Sequence, residues 1–550
     1  MSYKDISAKK RAERDSKFKP EWLVPEEELP GPEVLDVLQW PVSSGYLSAS
    51  EIEITEAPIA TIRANIKSKK WTAVTIAKAF MHRATIAHQL VNCLTEVFFD
   101  LGLEMAASLD KYYEETGQLI GPYHGIPISL KDNLIIRGQP ASIGVVCLAY
   151  DPPSFTEEDE SPNVKTLRSL GAVFYVKTSV PTAMMIGETM NNLYGYTLNP
   201  FNRNLTCGGS SGGEGALVAM KGSVFGIGGD IGGSLRIPSA FQNLFTLRAT
   251  SGRLPGGGRA ALVGLESVPS VQGPMARELC IVEEYCQIMT DLDKNMENLD
   301  VKFVPYGWRQ DVDLPEKLTF AIAREDDKVH PYPSILRGMD IVIEKLKSAG
   351  HEIIEWDPTG QGEFDQLVHS FFTSDGGNKI KKLHEATGEP FFEFMHIYRD
   401  AKEISVSDLW DMQSKRNGIV KKFIKRWDGT AKLTSSGKPI DGLLLPTSPY
   451  SGAPLNKNQY CGYTSVFNGL DWPAGTVPVT RADKEIDLKE VDYKPKNDTD
   501  QLCYDSYDAD KCHGGAISVQ VVGRKLQDEK VLKMMKIVAQ CCGTLDYWTT

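Results

Sequence analysis

Serines set among glycines, and one lysine that closes an apolar run, are the residues of this chain whose types could do chemistry. Two glycine-rich turns, Gly208-Gly209-Ser210-Ser211-Gly212-Gly213 and Gly226-Ile227-Gly228-Gly229-Asp230-Ile231-Gly232-Gly233-Ser234, flank the apolar stretch Ala216-Leu217-Val218-Ala219. Glycine at this density is expected where the backbone takes φ > 0 or brings N–H groups close to a ligand. A serine hydroxyl attacks only when a base removes its proton, and three local readings offer one. Gly208-Gly209-Ser210-Ser211-Gly212 fits the G-x-S-x-G nucleophile elbow with His513 as the base, but that elbow follows a strand and 202–206 is polar and turn-like. A phosphate loop fails because no Gly-Lys-Ser/Thr follows. In the third reading the base is an uncharged lysine. Keeping one neutral at pH 7 costs about 4.6 kcal/mol from an ordinary pKa, which desolvation can supply. Lys131, after the apolar run 126–130, is the candidate, although by position alone a lysine there reads as a solvated strand end.

The elements that must position these residues alternate. Residues 126–130 and 172–176 read as buried strands, with a helix over 164–170 closed by Gly171. The alternation resumes with a strand at 318–323, an amphipathic helix at 335–349 and strands at 351–356, 443–445, 476–479 and 517–522; 364–427 reads as mainly helical. The acidic segment 483–511 reads as a surface excursion. Near the start, Ser50 and Glu53 have capping-box spacing, but the polar–apolar alternation of 51–54 reads as extended, so the cap is expected at Thr55, ahead of a helix burying Ile59, Ile62 and Ile66. Val74, Ala77, Phe80, Ala84 and His88 mark a second buried face, on which His82 and His88 read as packed side chains. Residues 1–50, charged and then Pro/Glu-rich, read as an N-terminal arm, leaving 51–550 as one domain without repeat or linker.

Composition narrows the function. The net charge of −12 argues against a broad nucleic-acid or anionic-membrane surface. There is no secretory leader and no apolar run of about 18 residues. The ten cysteines show no C-x-x-C pair and no zinc spacing, which reads as free thiols in the cytoplasm.

The two glycine-rich segments, taken as Gly208-Gly209-Ser210-Ser211-Gly212-Gly213 and Asp230-Ile231-Gly232-Gly233-Ser234-Leu235-Arg236-Ile237-Pro238 and preceded by Gly125-Ile126-Pro127-Ile128-Ser129-Leu130-Lys131-Asp132, resemble the amidase signature family. Ser210 and Ser234 have that family's spacing of 24 residues. Leu445-Pro446-Thr447 and Val519-Gln520-Val521-Val522-Gly523 extend the resemblance over most of the chain. Phe174-Tyr175-Val176-Lys177-Thr178-Ser179-Val180-Pro181 and His513-Gly514 bring it nearest to fungal acetamidase-like amidases.

The resemblance implies an α/β fold, a single large domain with a twisted mixed sheet of about eleven strands surrounded by helices. It implies Ser234 as nucleophile, Ser210 as relay on a cis Gly209–Ser210 bond, and Lys131 as base. The oxyanion donors would be the N–H groups of Ile231, Gly232, Gly233 and Ser234, with Ser211, Asp230 and Arg236 supporting them. No metal or cofactor is implied. The activity implied is hydrolysis of small aliphatic or aryl carboxamides through an acyl-enzyme. Hydrolysis of fatty-acid or N-acyl amides and an amidotransferase-type subunit are the alternatives. The partner is a small amide, with no nucleic acid and no membrane span, and residues 1–50 leave room for a homodimer. Gly229 departs from the family's usual Thr, and Thr246 and Ala249 replace its usual Gly and Pro.

Overall fold

The segments 126–130, 164–170, 172–176, 318–323, 335–349, 351–356, 443–445, 476–479 and 517–522 are each found as the strand or helix expected, within a few residues, in the computed structural model, which describes residues 1–152, 156–291 and 300–545. In chain order the strands are β1 (Leu94–Val97), β2 (Pro127–Lys131), β3 (Val173–Thr178), β4 (Met190–Asn191), β5 (Gly195–Tyr196) and β6 (Phe225–Asp230). There follow β7 (Phe245–Arg248), β8 (Val271–Ala276), β9 (Thr319–Ile322), β10 (Glu352–Glu355), β11 (Gly442–Pro446), β12 (Ala474–Arg481) and β13 (Ala516–Val522). β4 and β5 form a small hairpin. The other eleven make one mixed sheet in the order β1-β3-β2-β6-β8-β7-β12-β13-β11-β9-β10, the single-domain architecture that the resemblance implies.

The placement of β2 matters most for the chemistry. It runs parallel to both neighbours, β3 and β6, with Lys131 beside Thr178 and Leu130 beside Ile227. Three carboxyl ends therefore open on the same edge, the place where open α/β sheets bind ligands. Helices cover both faces. On one, Met339, Val342 and Leu346 of the Pro333–Ser348 helix and Met535 and Val538 of the Asp528–Cys542 helix pack on strand residues such as Phe320, Leu444 and Val521.

Several expectations need correction. The second glycine-rich segment is half strand: β6 runs from Phe225 through Asp230, wholly buried. Its glycines make room for neighbours, since a Cβ on Gly226 would lie 1.6 Å from Glu214 Oε1 and one on Gly228 would lie 2.7 Å from Leu235. The cap expected at Thr55 is instead at Ser48, whose capping box with Glu51 starts the Ala49–Glu56 helix, so 51–54 is helical despite its period-two alternation. Ile59, Ile62 and Ile66 do share a buried face, on the next helix, Ile59–Lys67. The acidic segment 483–511 is anchored more firmly than an excursion: Asp487 is buried and takes two bonds from Arg337 (2.6 and 2.8 Å).

Within residues 1–50, the Tyr3–Asp15 helix lies against β1. Lys10 Nζ meets Glu96 at 2.7 Å, and Arg14 Nη1 donates to the Leu94 carbonyl at 3.0 Å. Phe18, Val24, Val37 and Leu38 then join the apolar cluster around the Ala73–Val91 helix. Phe18 stacks on His88, whose Nδ1 accepts from Leu94 N (3.2 Å), and His82 Nδ1 pairs with Glu51 (2.8 Å). Both histidines are packed side chains, as expected.

Candidate active site

Lys131 closes β2, and because that strand is flanked on both sides its end is covered, leaving the side chain 3% exposed. The reading of a solvated strand end is therefore wrong. Its Nζ donates to Ser210 Oγ at 2.8 Å and to the Gly229 carbonyl at 3.3 Å. Burial pulls the ammonium pKa down to about 7, against the opposing pull of Asp230, Glu214 and Asp132. The amine is thus largely convertible to its neutral form near pH 7.

Ser210 is presented by the turn before the Gly212–Ala219 helix, and the Gly209–Ser210 peptide bond is cis. Gly209 must lack a side chain, since a Cβ there would meet the Ile186 carbonyl oxygen at 2.8 Å. Next along, Ser211 Oγ accepts from Gly229 N (3.2 Å) and donates to Gly229 O (3.3 Å), which ties this turn to β6. One hydroxyl faces the lysine while its neighbour fixes the loop.

Ser234 follows β6 on the loop leading to the Arg236–Phe241 helix, and lines a cavity of about 510 Å³ together with Gly209, Ile231 and Gly232. Asp230 organises that loop. Its carboxylate accepts from Gly233 N (2.8 Å), Leu235 N (3.2 Å), Asn468 Nδ2 (2.9 Å) and, twice, Arg236 (3.0 and 3.1 Å). Burial would raise this carboxyl, but the Arg236 guanidinium outweighs it and holds the pKa well below the usual carboxylate range. Arg236, also fully buried, donates further to Asn468 Oδ1 (2.6 Å) and Gln520 Oε1 (3.3 Å). The Gly233 N–H, one of the four expected oxyanion donors, is bonded to Asp230. Gly233 itself sits at φ +135°, where a Cβ would lie 2.1 Å from Thr464 Oγ1.

Four residues of this surround are not identified by the sequence reading. Glu214 is buried one turn into its helix, accepts from Ser129 Oγ and from Thr178 Oγ1 (2.5 Å), and has its pKa pushed up to about 7 by burial. A carboxylate inside Gly-Gly-Glu-Gly-Ala-Leu-Val-Ala is the available signal. Thr464, whose hydroxyl donates to Gly232 O at 2.7 Å, and Asn468 lie on the Gly462–Leu470 helix, and Gln520 on β13. Of these only Gln520 carries a local signal, a polar residue in an apolar strand. His513, the base of the elbow reading, is exposed, and its Nδ1 accepts from Lys484 N (3.3 Å). At the two other departures, Thr246 Oγ1 donates to the Pro274 carbonyl (2.6 Å) and Ala249 is buried. A Cβ on Gly229 would have room, 3.5 Å from the Val271 carbonyl and 3.8 Å from Lys131 Nζ.

This arrangement can hold a neutral amine against a hydroxyl beside a serine that faces a cavity. The family model "Amidase" matches residues 75–532. An acetamidase of Aspergillus oryzae is 37% identical over 554 residues, covering 98% of this chain and 99% of its own. An acetamidase of Emericella nidulans is 36% identical over 557 residues, covering 99% of each. Among solved structures, a fatty acid amide hydrolase superposes with a TM-score of 0.91 at 32% identity, over 98% of this chain and 95% of that one.

Proposed function

The chain belongs to the amidase family, and from that premise we propose that it hydrolyses small aliphatic or aryl carboxamides through Ser234, Ser210 and Lys131. Neutral Lys131 takes the Ser210 proton as Ser210 takes that of Ser234, and Ser234 Oγ attacks the amide carbonyl. The oxyanion is met by the N–H groups of Ile231, Gly232 and Ser234, while Gly233, committed to Asp230, keeps the loop in shape. Preorganised donors of this kind are worth about 2.7–4 kcal/mol each. Ser210 returns a proton to the leaving amine, and water then releases the acid from the acyl-enzyme over the same relay.

The observation that carries this reading is the 2.8 Å contact between a buried lysine amine and the Ser210 hydroxyl. A fluorophosphonate probe tests it: the wild-type chain is labelled at Ser234, while Ser234→Ala loses the label and at least about 10⁴-fold in kcat. Amide hydrolysis surviving in that variant would remove Ser234 from the mechanism.

A second reading, hydrolysis of longer acyl amides, is favoured by the size of the cavity and its apolar lining of Met184, Met185, Ile186, Phe372 and Phe394. The solved neighbour that superposes on 98% of this chain is a fatty acid amide hydrolase, which supports the same reading. Rates across acyl chain lengths separate the two. Glutamine-dependent product formation only with a partner enzyme would mark an amidotransferase subunit. We assign no nucleic-acid partner on the charge of −12, and a cytoplasmic location on ten cysteines free of disulfides. Among the described residues no helix is long and apolar enough to cross a membrane. A homodimer through residues 1–50 is the oligomeric state to test by sedimentation.

A further inference from the structure

The cavity that Ser234 faces is also lined by Asp365, His369 and Cys461. Asp365 and His369 stand one turn apart on the Gln361–Phe372 helix, and His369 Nδ1 lies 3.0 Å from Asp365 Oδ1 and 2.9 Å from the Asp365 carbonyl. On the other side of the ring, Nε2 lies 3.4 Å from Cys461 Sγ. Cys461 is the N-cap of the Gly462–Leu470 helix, and its side chain is not spent on capping, which leaves the sulfur to meet the imidazole. Phe372 packs edge-on against the imidazole at 5.6 Å. The buried Asp365 carboxylate is itself held by Ser465 Oγ (2.6 Å) and Lys328 Nζ (3.3 Å). Burial disfavours charge on the ring, but Asp365 and Cys461 outweigh it and push the imidazole well above its usual pKa.

Nucleophile, base and orienting carboxylate within reach of one another, with the nucleophile on a cavity, are the geometric requirements of an activated thiol. A histidine packed beside a cysteine by chance would need neither the carboxylate behind the ring nor access to the cavity, and both the imidazole and the sulfur are only half-buried. We propose that Cys461, His369 and Asp365 form a second nucleophilic centre in this cavity, one that takes small α,β-unsaturated amides by conjugate addition at Cys461 Sγ. As the S–C bond to the β-carbon forms, the thiol proton is held on His369 Nε2 and the C=C electron pair moves toward the carbonyl. The α-carbon then takes the proton from Nε2, so S–H has added across the double bond and the ring is neutral again. The adduct occupies the space an amide substrate needs. The choice of an amide-bearing electrophile rests on the proposed function; the thiol chemistry does not.

Cys280 provides an internal control, because it reaches solvent while partial desolvation and the neighbouring Glu278 and Glu284 carboxylates push its thiol up to about 11. The full chain is incubated with acrylamide near pH 7, and modification is followed peptide by peptide by mass spectrometry. Cys461 is expected to react at least about tenfold faster than Cys280. In His369→Asn the Cys461 rate falls to that of Cys280, with the Cys280 rate unchanged as a check on the fold. In Ser234→Ala the fast labelling of Cys461 persists, so failure of the hydrolytic mechanism and failure of this centre are told apart. Labelling of Cys461 no faster than Cys280 overturns the proposal. So does labelling that becomes fast only after EDTA, which would make these three side chains, whose donor atoms lie within 4.8 Å of one another, a metal-ligand set.

Discussion

Lys131 and Arg236 are both basic, both buried, and both bonded to groups at the end of β6, yet their surroundings treat them in opposite ways. Arg236 is enclosed by a carboxylate and two side-chain amide oxygens, Asp230, Asn468 and Gln520. Lys131 Nζ meets a hydroxyl and a carbonyl oxygen, and among the described residues no carboxylate forms an ion pair with it. A guanidinium cannot shed its proton at any ordinary pH, so it must be paired when buried. An ammonium can, and burial without a partner is what makes it do so. The same removal from water thus yields a fixed charge that holds a loop in one case and an amine that can lose its proton near pH 7 in the other.

Breaking the lysine side of this contrast should have the largest effect. Lys131→Ala is expected to lower kcat by about 10²–10⁴-fold, and Lys131→Arg to fare no better because the charge cannot be lost; thermal melting of Lys131→Ala should stay near wild type. Breaking the arginine side should show in stability first. Asp230→Asn leaves Arg236 buried without its counter-ion, for which a loss of about 3–5 kcal/mol is expected by denaturant unfolding.

The contrast also sets a pH profile. If Lys131 must be neutral to act, kcat falls as pH drops through about 7 and levels off above it. Glu214 raises the lysine pKa by its charge, so Glu214→Gln should move that limb to lower pH, read from kcat against pH. An unmoved limb would assign it to another group. The smallest effect separates two glycines of β6. Gly229→Ala should change stability by less than about 1 kcal/mol, since its Cβ meets neighbours only at ordinary van der Waals distance, 3.5 Å or more. Gly226→Ala collides with Glu214 and should cost about 1–3 kcal/mol.

Apolar, branched runs such as 172–176 and 517–522 are legible as strands because their period and composition are local properties. β7 and β8 are not, because Thr246, Gln272 and Pro274 break the apolar pattern while being buried through bonds to other segments. β6 reads as a turn because its glycines are shaped by Glu214 and Leu235, which reach it from other elements. Ser210, Ser234 and Lys131 are legible through their motifs. The burial of Lys131 is not, since the strands covering it end some 50 and 100 residues downstream. Thr464, Asn468 and Cys461 come from still more distant chain, and no local pattern announces them.

The helix at the start of the chain has a consequence for assembly. β1 is the outermost strand of the large sheet, and an open border of this kind invites strand addition by another molecule. With Arg14 bound to the Leu94 oxygen and Lys10 to Glu96, the first fifteen residues act as a selvedge that finishes the weave, and the protein carries within its own chain the protection against unwanted association that many sheet proteins obtain from a bulge or a proline.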